Sequence, residues 1–361
     1  MKNVILKTVL ATAICNLANS SKKAANKIIQ HVNTPSKYSP QTSGMTLAYV
    51  TPWNSFGYDQ AKDHNNKIDI VSPVWLNFDS PTKFNGDHDI DQNWMKKVKS
   101  NGHTKIFPRV LLQGWRVSQY EELSELGETL DELAVKYDFD GFVLEAGWKE
   151  YLFQTQDPEK LKTLSKSLIK LSKNTDSELI LVIPPFHANG FQFFNSNHFK
   201  QLKDYFLAFS LMTYDYPGDP SHADKENPNV HPNSPIDWVR KNVEALDPNG
   251  DDREQILTGF NFYGRHYPVA EGDNAIVSGN YEEMLEKAEG KIQLKWLKEY
   301  AEYATMMPDG KVLMFPSTKS IENRIELVKQ LGAGISIWEI GQGLNQFLSS
   351  FPDKYLKNDE L

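Results

Sequence analysis

The chain has 361 residues and a formal net charge of −8, with a pI near 5.7. That length holds one elaborated barrel or two ordinary domains, and the acidity argues against nucleic acid or an anionic membrane as the main partner. Hydrophobic residues make up 40% of the chain, enough for a sizeable core, and eight Trp with 12% aromatics point to a stacking surface beside it.

In chain order, residues 1–20 read as a signal peptide. Lys2 and Lys7 precede a largely apolar stretch from Val9 to Ala18, interrupted by Thr12 and Asn16, and Ala18-Asn19-Ser20 supplies small residues at the cleavage position. The sole cysteine, Cys15, falls in this stretch, so a processed chain would hold no disulfide and would rest on packing alone. Residues 21–44 are polar and read as a linker with a short helix around 24–29.

From residue 45 to the end, apolar strands alternate with amphipathic helices, the pattern of parallel βα units. Strands are expected at 45–51, 68–77, 105–112, 139–146, 178–183, 206–214, 256–262 and 334–339. Helical spacing joins Leu161, Leu164, Leu168 and Leu171. Ile236, Val239, Val243 and Leu246 repeat it after Ser234-Pro235, a cap and first-turn pair. Ile321, Ile325, Val328 and Leu331 form a third stripe, and Gly332 suits its end.

The connection at about 268–316 is too long for a plain βα loop and reads as a small α+β insertion after strand seven. It offers a helix at 281–288, a charged strand at 291–296, a second helix, a turn at Pro308-Asp309-Gly310 and a strand at 311–315. The ending Asn358-Asp359-Glu360-Leu361 resembles a KDEL-type retrieval signal. With the leader, it places the chain in the secretory pathway, in the lumen of the endoplasmic reticulum, with secretion or a lysosome-like compartment as the alternative. No membrane span is expected in the processed chain.

Three strand ends carry candidate chemistry. Asp140-Gly141-Phe142-Val143-Leu144-Glu145-Ala146-Gly147 alternates faces, so Val143, Glu145 and Gly147 are expected to point into the barrel together. Met212-Thr213-Tyr214-Asp215 sets a phenol donor beside a carboxylate, suited to holding an acetamido or hydroxyl group. The plainer alternative has Tyr214 capping the core and Asp215 opening a turn with Pro217-Gly218. Ser336-Ile337-Trp338-Glu339 offers an indole plane; stacking ~100 Å2 of a sugar's C–H face on it is worth roughly 2–3 kcal/mol. Trp53, Trp115 and Trp148 fall near the same rim, whereas Trp75 lies inside its strand and reads as core.

These motifs resemble glycoside hydrolase family 18, the chitinases and chitinase-like lectins. Strand four matches the family's D-G-x-D-x-D-x-E run, residues 212–215 match its M-T-Y-D signature, and Trp338 matches its stacking floor. The resemblance implies a (β/α)8 TIM barrel, an insertion that walls the sugar groove, and saccharide contacts from Tyr214, Asp215 and Trp338. One departure stands out. Aligned on Asp140-Gly141, the family's two inner acids fall on Val143 and Glu145, and its proton-donating glutamate falls on Gly147. Further phrases narrow the resemblance to a secretory-pathway, saccharide-binding branch considered non-catalytic and linked to innate immunity. They are Tyr-Val-Thr-Pro-Trp-Asn-Ser at 49–55, Ser-Pro-Val-Trp-Leu at 72–76, Val-Ile-Pro-Pro at 182–185 and Leu-Asn-Gln-Phe at 344–347.

The expected saccharide-binding set is therefore Trp338, Tyr214, Asp215, Met212, Glu145, Trp53, Trp115 and Trp148, with no catalytic residue. Hydrolysis in this family is substrate-assisted, yet it still needs an acid on the glycosidic oxygen, and a positioned acid contributes typically ~10^2–10^4-fold. The alternative is an active hydrolase of N-acetylglucosamine-containing glycans, with the acid shifted to Glu145 beside Asp215. Glu145 lies one inward step lower on the strand, about 6–7 Å from the usual acid position. The expected partners are an oligosaccharide and a sorting receptor that reads the tail.

Neither cofactor nor metal is expected. The nine His show no H-E-x-x-H spacing, and Asp87-His88-Asp89-Ile90-Asp91 lacks the glycine and distal glutamate of a calcium loop, reading instead as an acidic cap before Trp94. P-loop, G-x-S-x-G and Rossmann fingerprints are absent from the sequence.

Overall fold

The computed structural model describes residues 44–186, 192–216, 232–267, 275–288 and 291–355. The expected leader, the linker with its short helix, the Pro217-Gly218 turn and the Asn358–Leu361 tail lie outside these residues.

Ten strands come first in the chain. They are β1 (Thr46–Val50), β2 (Ile70–Pro73), β3 (Leu76–Ser80), β4 (Lys83–Asn85), β5 (Lys105–Ile106), β6 (Arg109–Leu112), β7 (Gly141–Glu145), β8 (Glu178–Ile183), β9 (Ala208–Leu211) and β10 (Ile256–Asn261). A second sheet follows, made of β11 (Gly264–Tyr267), β12 (Ala275–Ile276), β13 (Lys295–Leu297), β14 (Glu302–Met306) and β15 (Val312–Phe315); β16 (Gly334–Trp338) then returns to the first sheet. The large sheet runs β4-β3-β6-β7-β8-β9-β10-β16-β1-β2-β5. Its pairings are parallel except for the β3·β4 hairpin.

The expected second and third strands are each broken in two. β2 pairs with β1 and β5, while β3, the continuation of β2, pairs with β6, the continuation of β5. The ends of the sheet thus meet through the chain and close an eight-stranded TIM-type barrel. Both breaks fall at proline: β2 ends at Pro73, and Pro108 separates β5 from β6. Proline brings no N–H to a ladder, so regular pairing stops there.

Strand alternation divides the core into two layers. Leu47, Tyr49, Ile70, Val143, Ile180, Val182, Ala208 and Leu257 fill the barrel interior. Ala48, Val50, Phe142, Leu144, Leu179, Leu181 and Phe209 face outward against the helices. The three expected stripes meet that outer layer: Leu161, Leu164, Leu168 and Leu171 are buried in the helix Leu161–Lys173, and Ile321, Ile325, Val328 and Leu331 in the helix Thr318–Leu331. In the helix Ile236–Leu246, Val239, Val243 and Leu246 are buried and Ile236 is partly so. Gly332 ends its helix in the left-handed region at φ 69. Asp91 caps the helix Gln92–Val98, accepting from the N–H groups of Asn93 and Trp94 at 2.9 Å each.

Two expectations need correction. Ser234 is not the cap of the helix Ile236–Leu246; its hydroxyl donates to the Thr213 carbonyl at 2.6 Å and braces the end of β9 instead. The second helix expected in the insertion is strand β14, paired on both sides by β13 and β15. Helical reach within one segment loses here to pairing partners on either side, and Pro308-Asp309-Gly310 (Gly310 at φ 83) makes the hairpin between β14 and β15.

The second sheet is tied to the barrel by a buried ion pair. Arg324 Nη2 lies 2.9 Å from Glu302 Oε1, each side chain 1% exposed, and the same guanidinium donates to the Ser234 carbonyl at 3.1 Å. Among the described residues no helix is long and apolar enough to cross a membrane.

Candidate functional site

The barrel interior ends upward in a polar and aromatic layer. The hydroxyls of Tyr49, Ser210 and Ser336 join β1, β9 and β16 across the barrel, at 2.9 Å and 3.0 Å. Above them sits Trp338, half-buried, its ring centre 5.2 Å from that of Tyr49. The Arg109 guanidinium lies 5.6 Å from the Trp338 ring centre, in the range of a cation–π contact. Arg109 also holds Glu145: Nε donates at 2.7 Å and Nη2 lies at 2.5 Å, both on Oε2. β6 and β7 run in register with Arg109 opposite Val143 and Leu111 opposite Glu145, so the two charged side chains are diagonal neighbours on one face.

Met212, Tyr214 and Asp215 line a cleft of about 240 Å3 together with Lys149 and an apolar wall of Pro184, Pro185, Phe186 and Phe193. Asp215 adopts the left-handed conformation at φ 56, and its N–H donates to Asn233 Oδ1 at 2.8 Å. Its Oδ1 accepts from the Tyr263 hydroxyl and from Arg265 Nη2. Tyr214 is 9% exposed, and burial pushes its phenol well above the usual tyrosine range, so it stays a hydrogen-bond donor.

Gly147 is not placed as strand alternation predicts. β7 ends at Glu145, Ala146 packs into the outer layer, and Gly147 opens the helix Trp148–Thr155 in the left-handed region at φ 59, ψ 44. A Cβ added there would stand 2.7 Å from the Tyr120 hydroxyl, which belongs to the helical layer. The position therefore faces the outer helices, and the shared inward face stops at Val143 and Glu145. The pleat carries side-chain direction only while the strand continues.

The rim tryptophans separate into two groups. Trp53 is 73% exposed and free to contact a ligand. Trp115 and Trp148, expected in the groove, are core: Trp115 is 1% exposed and donates Nε1–H to the Phe78 carbonyl at 2.6 Å, and Trp148 is 2% exposed with its ring centre 5.0 Å from that of Phe194. Short helices at the barrel top, Val117–Glu121 and Trp148–Thr155, roll both indoles outward. Trp75 is core, as expected, although it falls in the break between β2 and β3 and not inside a strand.

Four site residues escaped the sequence reading. Arg109 could have been found as a charge inside the otherwise apolar stretch Phe107–Leu112. Tyr263 and Arg265 carry no local signal, because only the start of the second sheet brings them to Asp215. The fourth, Glu339, follows Trp338 in the chain and is fully buried. Burial pushes its carboxyl up to about 8, against the opposing pull of the Gly341 N–H and the Asn54 amide. Asn54 Nδ2 reaches it at 2.8 Å, so Glu339 ties the loop after β1 to the end of β16. Among the described residues no group of three or more His, Cys, Asp or Glu is arranged to hold a metal ion.

The family model described as Glycosyl hydrolases family 18 matches residues 45–343. Solved structures with the same fold include a chitinase from Chromobacterium violaceum ATCC 12472, 15% identical, covering 85% of this chain and 98% of that one with a TM-score of 0.68. The spore cortex-lytic enzyme SleL of Bacillus cereus is 16% identical over 88% of this chain and 76% of its own, with a TM-score of 0.69. A chitinase from Cycas revoluta in complex with (GlcNAc)4 is 11% identical over 84% of this chain and 97% of its own, with a TM-score of 0.65.

Proposed function

This chain belongs to glycosyl hydrolases family 18, and on that premise we propose that it binds oligosaccharides without cleaving them. The observation that carries the reading is Gly147: the residue aligned with the family's proton donor has no side chain, and its backbone turns toward Tyr120. Two further features support it. Val143, aligned with an inner acid, is apolar and fully buried. Glu145, the acid that remains, is bound through one oxygen by both Nε and Nη2 of Arg109, which suits a fixed acceptor more than a proton donor.

In this reading Trp338 is the stacking floor, Tyr214 and Asp215 hold the sugar's polar groups, and Arg265 and Tyr263 fix the Asp215 carboxylate. The phrases at 49–55, 72–76, 182–185 and 344–347, with Phe-Ser-Leu-Met-Thr-Tyr-Asp-Tyr at 209–216, support a closer kinship with chitinase domain-containing protein 1, also called stabilin-interacting chitinase-like protein. On this reading the protein works in the secretory pathway, in innate immunity or glycan handling. Retrieval to the endoplasmic reticulum follows from Asn358-Asp359-Glu360-Leu361, and deleting those four residues should raise the secreted fraction; an unchanged fraction refutes retrieval.

The deciding experiment pairs calorimetric titration with a hydrolysis assay, both on chitotetraose. Binding without turnover is expected. Turnover by the native protein, abolished in Glu145→Gln with binding retained, would replace this reading by a hydrolase with a shifted acid.

A further inference from the structure

The chain as a whole carries a net charge of −8, yet its cleft is lined by one cation, Lys149, and one carboxylate, Asp215. Arg109 is engaged by Glu145 and Arg265 by Asp215. Lys149 differs from both: it is exposed at the cleft mouth, and among the described residues no carboxylate lies within ion-pair distance of it. Its ammonium lies 5.9 Å from the Phe153 ring centre.

The neighbouring acids do not cancel this charge. Glu150, next in sequence, sits beside Gly147 and Tyr120 on the helical side. Glu339 is fully buried, its carboxyl pushed up to about 8 by burial and already engaged by the Asn54 amide and the Gly341 N–H. Pro184, Pro185, Phe186, Phe193 and Met212 line the rest of the cleft and supply little hydrogen bonding of their own.

We propose that this cleft selects a carboxylate-bearing oligosaccharide over a neutral one, with Lys149 contacting the acidic sugar next to the ring held by Tyr214 and Asp215. The inference rests on the saccharide-binding reading and names its ligand class. A chain alternating N-acetylglucosamine with a uronate fits both requirements, offering an acetamido sugar to Tyr214 and a carboxylate on the adjacent ring.

The test compares two probes by calorimetric titration of the full chain: a hyaluronan hexasaccharide, which alternates N-acetylglucosamine with glucuronate, and chitohexaose, which is neutral. The expected result is about three- to tenfold tighter binding of the hyaluronan probe at low ionic strength, with the preference shrinking as salt is added. Lys149→Gln should remove the preference by lowering hyaluronan affinity more than chitohexaose affinity; as an exposed position it should fold normally. Equal affinity for the two probes, or a preference that Lys149→Gln does not touch, overturns the proposal. Binding of chitohexaose alone overturns this inference and leaves the saccharide-binding reading standing, whereas failure of both probes overturns the two together.

Discussion

Replacing Gly147 by alanine should destabilise the protein by about 3 kcal/mol. A left-handed conformation costs a residue with a Cβ roughly 1–2 kcal/mol, and Gly147 holds φ 59. The added Cβ would also stand 2.7 Å from the Tyr120 hydroxyl. Tyr120 cannot swing aside: it is 1% exposed, with Trp115 at 5.5 Å and Tyr151 at 5.1 Å between ring centres. Overpacking of this kind costs typically about 1–3 kcal/mol. For a barrel of this size, about 3 kcal/mol corresponds to a fall in melting temperature of about 5 °C.

Differential scanning calorimetry measures that fall, and adding Tyr120→Phe separates its two causes. Removing the hydroxyl should relieve the overlap and leave the backbone cost, so the double variant should recover about half the loss. The same geometry governs Gly147→Glu, whose side chain would start toward Tyr120 and gain no turnover of chitotetraose. An unchanged melting temperature in Gly147→Ala, or clear turnover in Gly147→Glu, would refute this account of the missing acid.

Trp338→Ala should weaken chitotetraose binding by about 2 kcal/mol; unchanged calorimetric affinity in the folded variant would move the stacking surface elsewhere, with Trp53 the first candidate. Glu339 makes stability pH-dependent, because its carboxyl titrates at about 8 in the fold against the ordinary 4.5. The folded state holds the proton more tightly, so this contribution is complete below pH 4.5 and is lost as pH rises through 8, by up to roughly 5 kcal/mol. Urea denaturation across pH 5 to 8 should show that slope in the native protein and not in Glu339→Gln, and parallel curves would contradict it. Arg324→Met leaves Glu302 buried without its guanidinium and should cost about 3–5 kcal/mol in chemical denaturation. Adding Glu302→Gln should restore much of it, and an additive loss in the double variant would argue against the pairing.

Much of this protein is legible one segment at a time. Period-two alternation places Leu47, Tyr49, Val143 and Ile180 inside the barrel, and helical spacing places Leu161, Ile321 and their repeats against it, because both patterns depend on short-range backbone geometry. Met212 through Asp215 could likewise be located at a strand end, where a barrel builds its site. The tertiary structure decided what depends on distant partners or on the chain's path beyond a strand. Arg109 meets Glu145 only because barrel closure sets β6 beside β7 in one register. β14 is a strand because β13 and β15 flank it, against a local reading of helix. Trp115 and Trp148 are core because short helices at the barrel top turn them outward. Gly147 shows the division most sharply: its missing side chain is visible in the sequence, but its direction is not, since a left-handed turn after Glu145 carries the backbone out of the pleat that sequence alternation assumes.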